Sequence, residues 1–326
     1  GIVVSKNQEI IDDFLEPGKI TASKHANGRD WWILSRKFNS NEYVKILLSE
    51  DTPAVVETQQ IGDSIPSPGV GQAVFSPDGS KYARLTLIDY EKGGFLSIYD
   101  FDRCSGDLSN PILINHKDSA SAGGVAISPS SRFLYVSSLR YIYQYDLWSA
   151  DILASKDTVA VYDGFLDPFP TLFYHCQLAP DGKIYINASN GSMILHVIHQ
   201  PNLKGDACMV EQHGIQLPTH NAFSLPNFPN YRLGPLEGSP CDTLSLTSTT
   251  PVPEQEFDFQ VYPNPASDFI YLSSERDSSV GSRALHWRLI DALGRVVKRV
   301  RVNDSSLREK VDVSDLQPGV YFWEVH

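Results

Sequence analysis

Apolar and polar residues alternate in short runs along most of the chain, the period-two pattern of strands with one buried face. Lys81-Tyr-Ala-Arg-Leu-Thr-Leu87, Arg132-Phe-Leu-Tyr-Val-Ser-Ser138 and Lys183-Ile-Tyr-Ile-Asn-Ala188 are such runs. Each is followed, after a polar break, by another: Phe95–Tyr99, Tyr141–Tyr145 and Ile194–Ile198. A further strand, such as Pro111–Asn115, precedes the next unit. No segment sustains a 3.6-residue period, and residues 8–15 offer at most one helical turn.

The runs recur with a fixed period. Phe75-Ser-Pro-Asp-Gly79, Ile127-Ser-Pro-Ser-Ser131 and Leu178-Ala-Pro-Asp-Gly182 align, with His25-Ala-Asn-Gly28 as a weaker copy. The turn positions Gly28, Gly79, Ser131 and Gly182 are 51, 52 and 51 residues apart. Proline fixes φ in such a turn and glycine accepts positive φ, so each copy reads as strand, tight turn, strand. Four strands per repeat of this length, in tandem, are the signature of propeller blades. The expected fold is therefore all-β. Residues 1–237 form a β-propeller with about four blades, expected to belong to a larger ring in which Gly1-Ile-Val-Val4 ends an earlier blade.

The texture changes after Gly238. Residues 238–256, rich in Ser, Thr and Pro, read as a linker, and residues 257–326 as a small Ig-like antiparallel β-sandwich. Three motifs punctuate that last segment: Val261-Tyr-Pro-Asn-Pro-Ala-Ser267, Leu289-Ile-Asp-Ala-Leu-Gly-Arg-Val-Val297 and Val313-Ser-Asp-Leu-Gln-Pro-Gly-Val-Tyr-Phe322. In this order and spacing they resemble the type A C-terminal sorting domain of type IX secretion, found on exported proteins of Bacteroidetes-type bacteria. The resemblance implies recognition by the outer-membrane machinery, followed by cleavage or attachment to surface polysaccharide. It points to Pro263, Asn264, Pro265, Gly294, Arg295, Gly319 and Tyr321 as the residues shaping the turns that are read. The family usually continues past Gly-Val-Tyr into a glycine turn and a basic strand, which this sequence does not include. Lys24–Trp32, Tyr99–Cys104 and Pro226–Gly234 are likewise similar to stretches of uncharacterised propeller proteins carrying such a domain, a group with no activity to carry over.

Composition adds exclusions. The formal charge is −12, with 29 acidic against 18 basic side chains in the first 256 residues. An acidic body without a basic stripe argues against nucleic acid as a partner, and no apolar run is long enough for a membrane-spanning helix. None of the four cysteines forms a C-x-x-C pair; Cys208 and Cys241 lie in loop-like sequence and are candidates for a disulfide in an oxidising compartment.

Candidate chemistry is sparse. His196, His199, His213 and His220, with Cys208 among them, suggest a metal, but positions 196 and 199 point to opposite faces of a strand; no metal or cofactor is expected. His25 and Asp30 flank the first turn and suit hydrogen bonds that tie blades together. Trp31-Trp32 suits blade packing, or a glycan platform if exposed. Asp100, Asp102 and Asp107 lack the EF-hand pattern because Arg103 and Cys104 interrupt it. No G-x-S-x-G elbow, H-E-x-x-H or phosphate loop occurs, and no catalytic residue is assigned. The expectation is a secreted or outer-membrane-attached binding protein, not an enzyme, with a protein or glycan ligand at the propeller. The alternative is a secreted hydrolase or lyase whose acidic and histidine side chains converge at the channel mouth.

Overall fold

The computed structural model describes residue 6 and residues 9–50, 52–66, 70–89, 91, 93–120, 122–242, 259–274, 285–291, 295–302 and 308–325. The chain divides into two compact units, Gly1–Ser245 and Leu246–His326. The segment expected to end an earlier blade, Gly1–Val4, and linker residues 243–256 lie outside the described residues.

The first unit holds four four-stranded antiparallel sheets, each a meander in chain order. Blade 1 comprises β1 (Thr21–Lys24), β2 (Trp31–Arg36), β3 (Glu42–Leu48) and β4 (Val55–Gln60). Blade 2 comprises β5 (Val70–Phe75), β6 (Lys81–Asp89), β7 (Gly93–Phe101) and β8 (Leu108–His116). Blade 3 comprises β9 (Gly123–Ile127), β10 (Phe133–Ser138), β11 (Tyr141–Asp146) and β12 (Asp157–Val161). Blade 4 comprises β13 (Phe173–Leu178), β14 (Ile184–Ala188), β15 (Ser192–Ile198) and β16 (Val210–Asn221). A short 3₁₀ turn, Gly205–Cys208, joins β15 to β16. Residues 9–15 form no helical turn; Leu15 instead bridges to Lys37 beside β2.

Alternation explains the stacking. Ala83, Leu85 and Leu87 of β6 face Leu134 and Val136 of β10 in one core. Tyr82, on the opposite face of β6, joins Trp32, Leu34 and Tyr43 of blade 1 in a second. Phe133 and Tyr135 of β10 join Ile184, Ile186 and Ile198 of blade 4 in a third. The inner strands β6 and β10 thus bury both faces, one against each neighbouring blade, as stacked sheets require. Fully burying one such leucine contributes about 2 kcal/mol. Among the described residues, three interblade cores hold four blades.

The four repeat turns carry positive φ: +74° at Gly28, +73° at Gly79, +59° at Ser131 and +80° at Gly182. Ser131 takes this conformation with a side chain, which costs about 1 kcal/mol. Its hydroxyl accepts a hydrogen bond from the Asp78 N–H at 3.1 Å. The strained residue therefore also ties the turn of blade 2 to that of blade 3.

The candidate pair Cys208–Cys241 is not formed. The disulfide joins Cys104 to Cys241, with Cα atoms 5.5 Å apart. Cys208 is a buried free thiol in the 3₁₀ turn, packed in the core between blades 3 and 4. Cys208 is committed to that core, and Cys241 is already bonded to Cys104.

The second unit pairs two three-stranded antiparallel sheets. One has the order β17 (Phe259–Tyr262), β18 (Phe269–Ser274), β21 (Arg308–Asp312); the other β20 (Val296–Val302), β19 (Leu285–Asp291), β22 (Tyr321–Val325). Ile270 and Val311 of the first sheet bury against Trp287 of the second, with Trp323 alongside.

Candidate binding site at the propeller mouth

The first strands of the blades run side by side, β5 against β1 and β9, and β9 against β13. Where they end, their turns frame a cavity of about 400 Å³, a volume that suits a small ligand. Ser23 contributes from β1, and Phe75 and Pro77 from β5 and its turn. Ile127 and Pro129 contribute from β9, and Gln177 and Pro180 from β13. The prolines stand at equivalent repeat positions, so the same ring recurs around the rim.

The remaining wall is not a blade. Residues 227–233, Asn-Phe-Pro-Asn-Tyr-Arg-Leu, line the cavity as a strap after β16. The strap is fixed along its length. Asn230 Nδ2 donates to the Pro77 carbonyl at 2.8 Å, and Arg103 donates to the Gly234 carbonyl. The Leu236 N–H donates to the Ala26 carbonyl at 2.8 Å. Pro235 lies so close to Gly28 that a Cβ there would meet its ring nitrogen at 2.6 Å; positive φ and this contact both require glycine. Tyr231 meets Trp31 edge-on, with centroids 5.4 Å apart. The Cys104–Cys241 disulfide secures the end of the strap to blade 2.

Electrostatically the cavity is bland. Among the described lining residues Arg232 carries the one formal charge, and no Asp, Glu or His is present. Burial pushes the Cys176 thiol, also in the lining, up to about 12, so it is protonated and a poor nucleophile. The polar groups available are hydroxyls and amides. Ser23, in the lining, is 3% exposed and its Oγ has no hydrogen-bond partner.

The other polar residues singled out in the sequence have separate partners. His196 Nε2 donates to the Thr171 carbonyl at 2.8 Å while Nδ1 accepts from the His213 N–H at 3.0 Å. His199 pairs with Glu211 at 2.7 Å and His213 with Asp163 at 3.0 Å. Among the described residues no three His, Cys, Asp or Glu side chains gather where a metal could be held. His25 Nε2 donates to the Cys104 carbonyl at 3.0 Å, joining blade 1 to blade 2. Asp30 instead accepts from Asn27 and Arg29 within its own turn. Trp32 is buried, its Nε1 donating to the Arg103 carbonyl at 3.0 Å. Asp100 pairs with Lys81, Asp107 with Lys45, and Asp102 accepts from the Cys104 N–H.

In the second unit Pro263, Asn264 and Pro265 lie exposed in the connection from β17 to β18. Arg295 lies just before β20, where its Nε and N–H donate to the two carboxylate oxygens of Asp291 at 2.7 and 3.0 Å. Asp291 is the register partner of Tyr321, whose hydroxyl donates to the Gln317 carbonyl at 2.7 Å. Arg295 thus holds the carboxylate of the residue paired with Tyr321, and Gly319 is exposed just before β22. Gly294 lies outside the described residues.

Comparison with known families decides the role of this unit. Residues 260–326 match the secretion system C-terminal sorting domain. The C-terminal unit is a type IX sorting domain. A chain bearing this sorting domain is exported to the cell surface or secreted, and among the described residues no helix is long and apolar enough to cross a membrane.

No curated protein matches the sequence. Solved structures with some likeness include a putative 6-phosphogluconolactonase from Bacteroides uniformis, 15% identical, covering 62% of this chain and 56% of that one at a TM-score of 0.42. This chain therefore spans little more than half of that protein. A putative TolB from Agrobacterium tumefaciens is 14% identical over 96% of this chain and 81% of that one, with a TM-score of 0.40. A Lactobacillus plantarum protein is 13% identical over 90% and 74%, with a TM-score of 0.41. Likenesses this remote say nothing of activity, and the propeller assignment rests on the four stacked sheets themselves.

Proposed function

We propose that this chain is an exported binding protein whose propeller mouth takes an uncharged, hydroxyl-bearing ligand of the surface-glycan class, while the sorting domain serves as its address. The observation that carries this reading is the lining of the mouth cavity. Its walls are proline, aromatic and aliphatic faces, its polar groups are side-chain amides and hydroxyls with Arg232 as the one charge among the described lining residues, and Ser23 Oγ is a buried hydroxyl with no internal partner. Sugars present C–H faces that pack on such rings, and hydroxyls that both donate and accept.

The lack of carboxylate and histidine side chains among the described lining residues weighs against a hydrolase or lyase centred on this cavity, since such chemistry needs a general acid or base in reach.

Calorimetry of the full chain against a panel of neutral and acidic oligosaccharides tests the reading. Saturable binding to a neutral sugar is expected, weakened about tenfold or more by Ser23→Val or Tyr231→Ala. Binding that neither substitution alters, or turnover of the sugar, would overturn it.

A further inference from the structure

Glu16, in the segment before β1, lies fully buried beneath three cations. Its Oε1 is 3.0 Å from Lys19 Nζ and its Oε2 is 3.1 Å from Arg36 Nε. Arg84 Nη2 also contacts Oε2, and Thr86 Oγ1 is 3.4 Å from Oε1. All four ionic side chains are no more than 1% exposed. One carboxylate thus faces three cationic groups between blades 1 and 2.

The charge excess coincides with unmet donors. Arg36 Nη2 donates to the Ile65 carbonyl at 2.8 Å, but Arg84 Nε and Nη1 have no partner. The hydroxyl of Tyr82, two residues away on the same face of β6, has none either. Lys19 Nζ touches Glu16 and has no further partner for its remaining protons. A buried guanidinium N–H without an acceptor is destabilising, and buried like charges add to that. An arrangement with this excess calls for another anion.

We propose that this cluster is a binding site for a small monovalent anion of the chloride class, with one of the two free Arg84 nitrogens (Nε or Nη1), the Tyr82 hydroxyl and Lys19 Nζ as its donors. The anion offsets one positive charge and supplies the acceptor that the donors lack. It locks blade 1 to blade 2, because Lys19 belongs to the lead-in to β1 and Arg84 to β6. The site is independent of the mouth cavity, and its ligand differs in charge.

Crystals of the full chain grown with bromide in place of chloride provide the direct test. An anomalous peak within hydrogen-bonding distance of Arg84 Nε or Nη1 is expected. In parallel, the melting midpoint in chloride, against gluconate at equal ionic strength, should rise by about 3 °C and saturate. Lys19→Met should shift the chloride concentration at half-saturation upward about tenfold. Water-only density with no chloride-dependent rise would overturn the proposal. So would an equal rise in wild type and Lys19→Met, the mark of an adventitious ion only. If Lys19→Met fails to fold, the bromide map of the wild type decides alone.

Discussion

Gln72 of blade 2 holds the backbone of Cys176 in blade 4 with both ends of its amide. Its Nε2 donates to the Cys176 carbonyl at 2.7 Å and its Oε1 accepts from the Cys176 N–H at 3.1 Å. The same oxygen accepts from the Val125 N–H of blade 3 at 3.2 Å. One side chain therefore joins three blades, acting as a piece of strand backbone inserted among first strands. Gln72→Leu matches the volume but leaves those backbone groups unserved. It should lower stability by about 2 kcal/mol in urea unfolding, and Gln72→Glu should do the same by setting a carboxylate against the Cys176 carbonyl.

Ser131 separates backbone strain from hydrogen bonding. Ser131→Ala retains the +59° φ and removes the acceptor for Asp78 N–H, so it should cost about 1–2 kcal/mol. Ser131→Gly relieves the strain while losing the same bond, and should come within about 0.5 kcal/mol of wild type. Thermal melts of the two variants against wild type give the ordering.

The disulfide spans 137 residues, a long loop whose closure restricts the unfolded chain. Cys104→Ser should cost about 3–4 kcal/mol, and reducing agent should lower the wild-type melting point towards that of the variant. Cys208→Ser should leave the bridge intact. Peptide mapping under non-reducing conditions should recover Cys104 joined to Cys241 in both wild type and Cys208→Ser.

Acid should weaken the propeller before it protonates most carboxylates. Burial holds His116, His175 and His196 down at about 4, against 6.5 in the unfolded chain. The unfolded state therefore takes up protons first. Stability from these groups is complete above about pH 6.5 and is lost as pH falls towards 4. At His196 the reason is structural: Nδ1 is already an acceptor for the His213 N–H, a role that protonation ends. Urea unfolding between pH 7 and 4 should show the decline, and His196→Gln should reduce its slope by about one proton.

What was legible in the sequence follows from range. Tyr82 and Ala83 face different blades because they are adjacent on a strand, and that alternation is visible in a seven-residue window. The Pro-Asp-Gly turns are local too. The Cys104–Cys241 bridge is not: it depends on a strap that crosses from blade 4 to blade 2, a path that no spacing rule contains. The Glu16 cluster is not legible in the sequence for the same reason. Lys19, Arg36 and Arg84 lie in polar or alternating contexts where a cation normally marks a solvent face, and only the stacking of blade 1 on blade 2 turns them inward. Pro226–Gly234 was noticeable as a shared stretch, but its place as a wall of the mouth depends on contacts with Pro77 and Ala26, each more than a hundred residues distant.

The strap also determines how the propeller bears load. A protein held at a surface by its C-terminal end is pulled there by flow or by contact with neighbours. Without the bridge, tension beyond residue 242 would first break the strap's hydrogen bonds to Ala26, Arg103 and Pro77 and then peel β16 from β15. With Cys241 bonded to Cys104, tension leaves the chain before reaching that strand and enters the hairpin between β7 and β8. Blade 2, cored on both faces, becomes the mechanical anchor, and the last blade is shielded from the force.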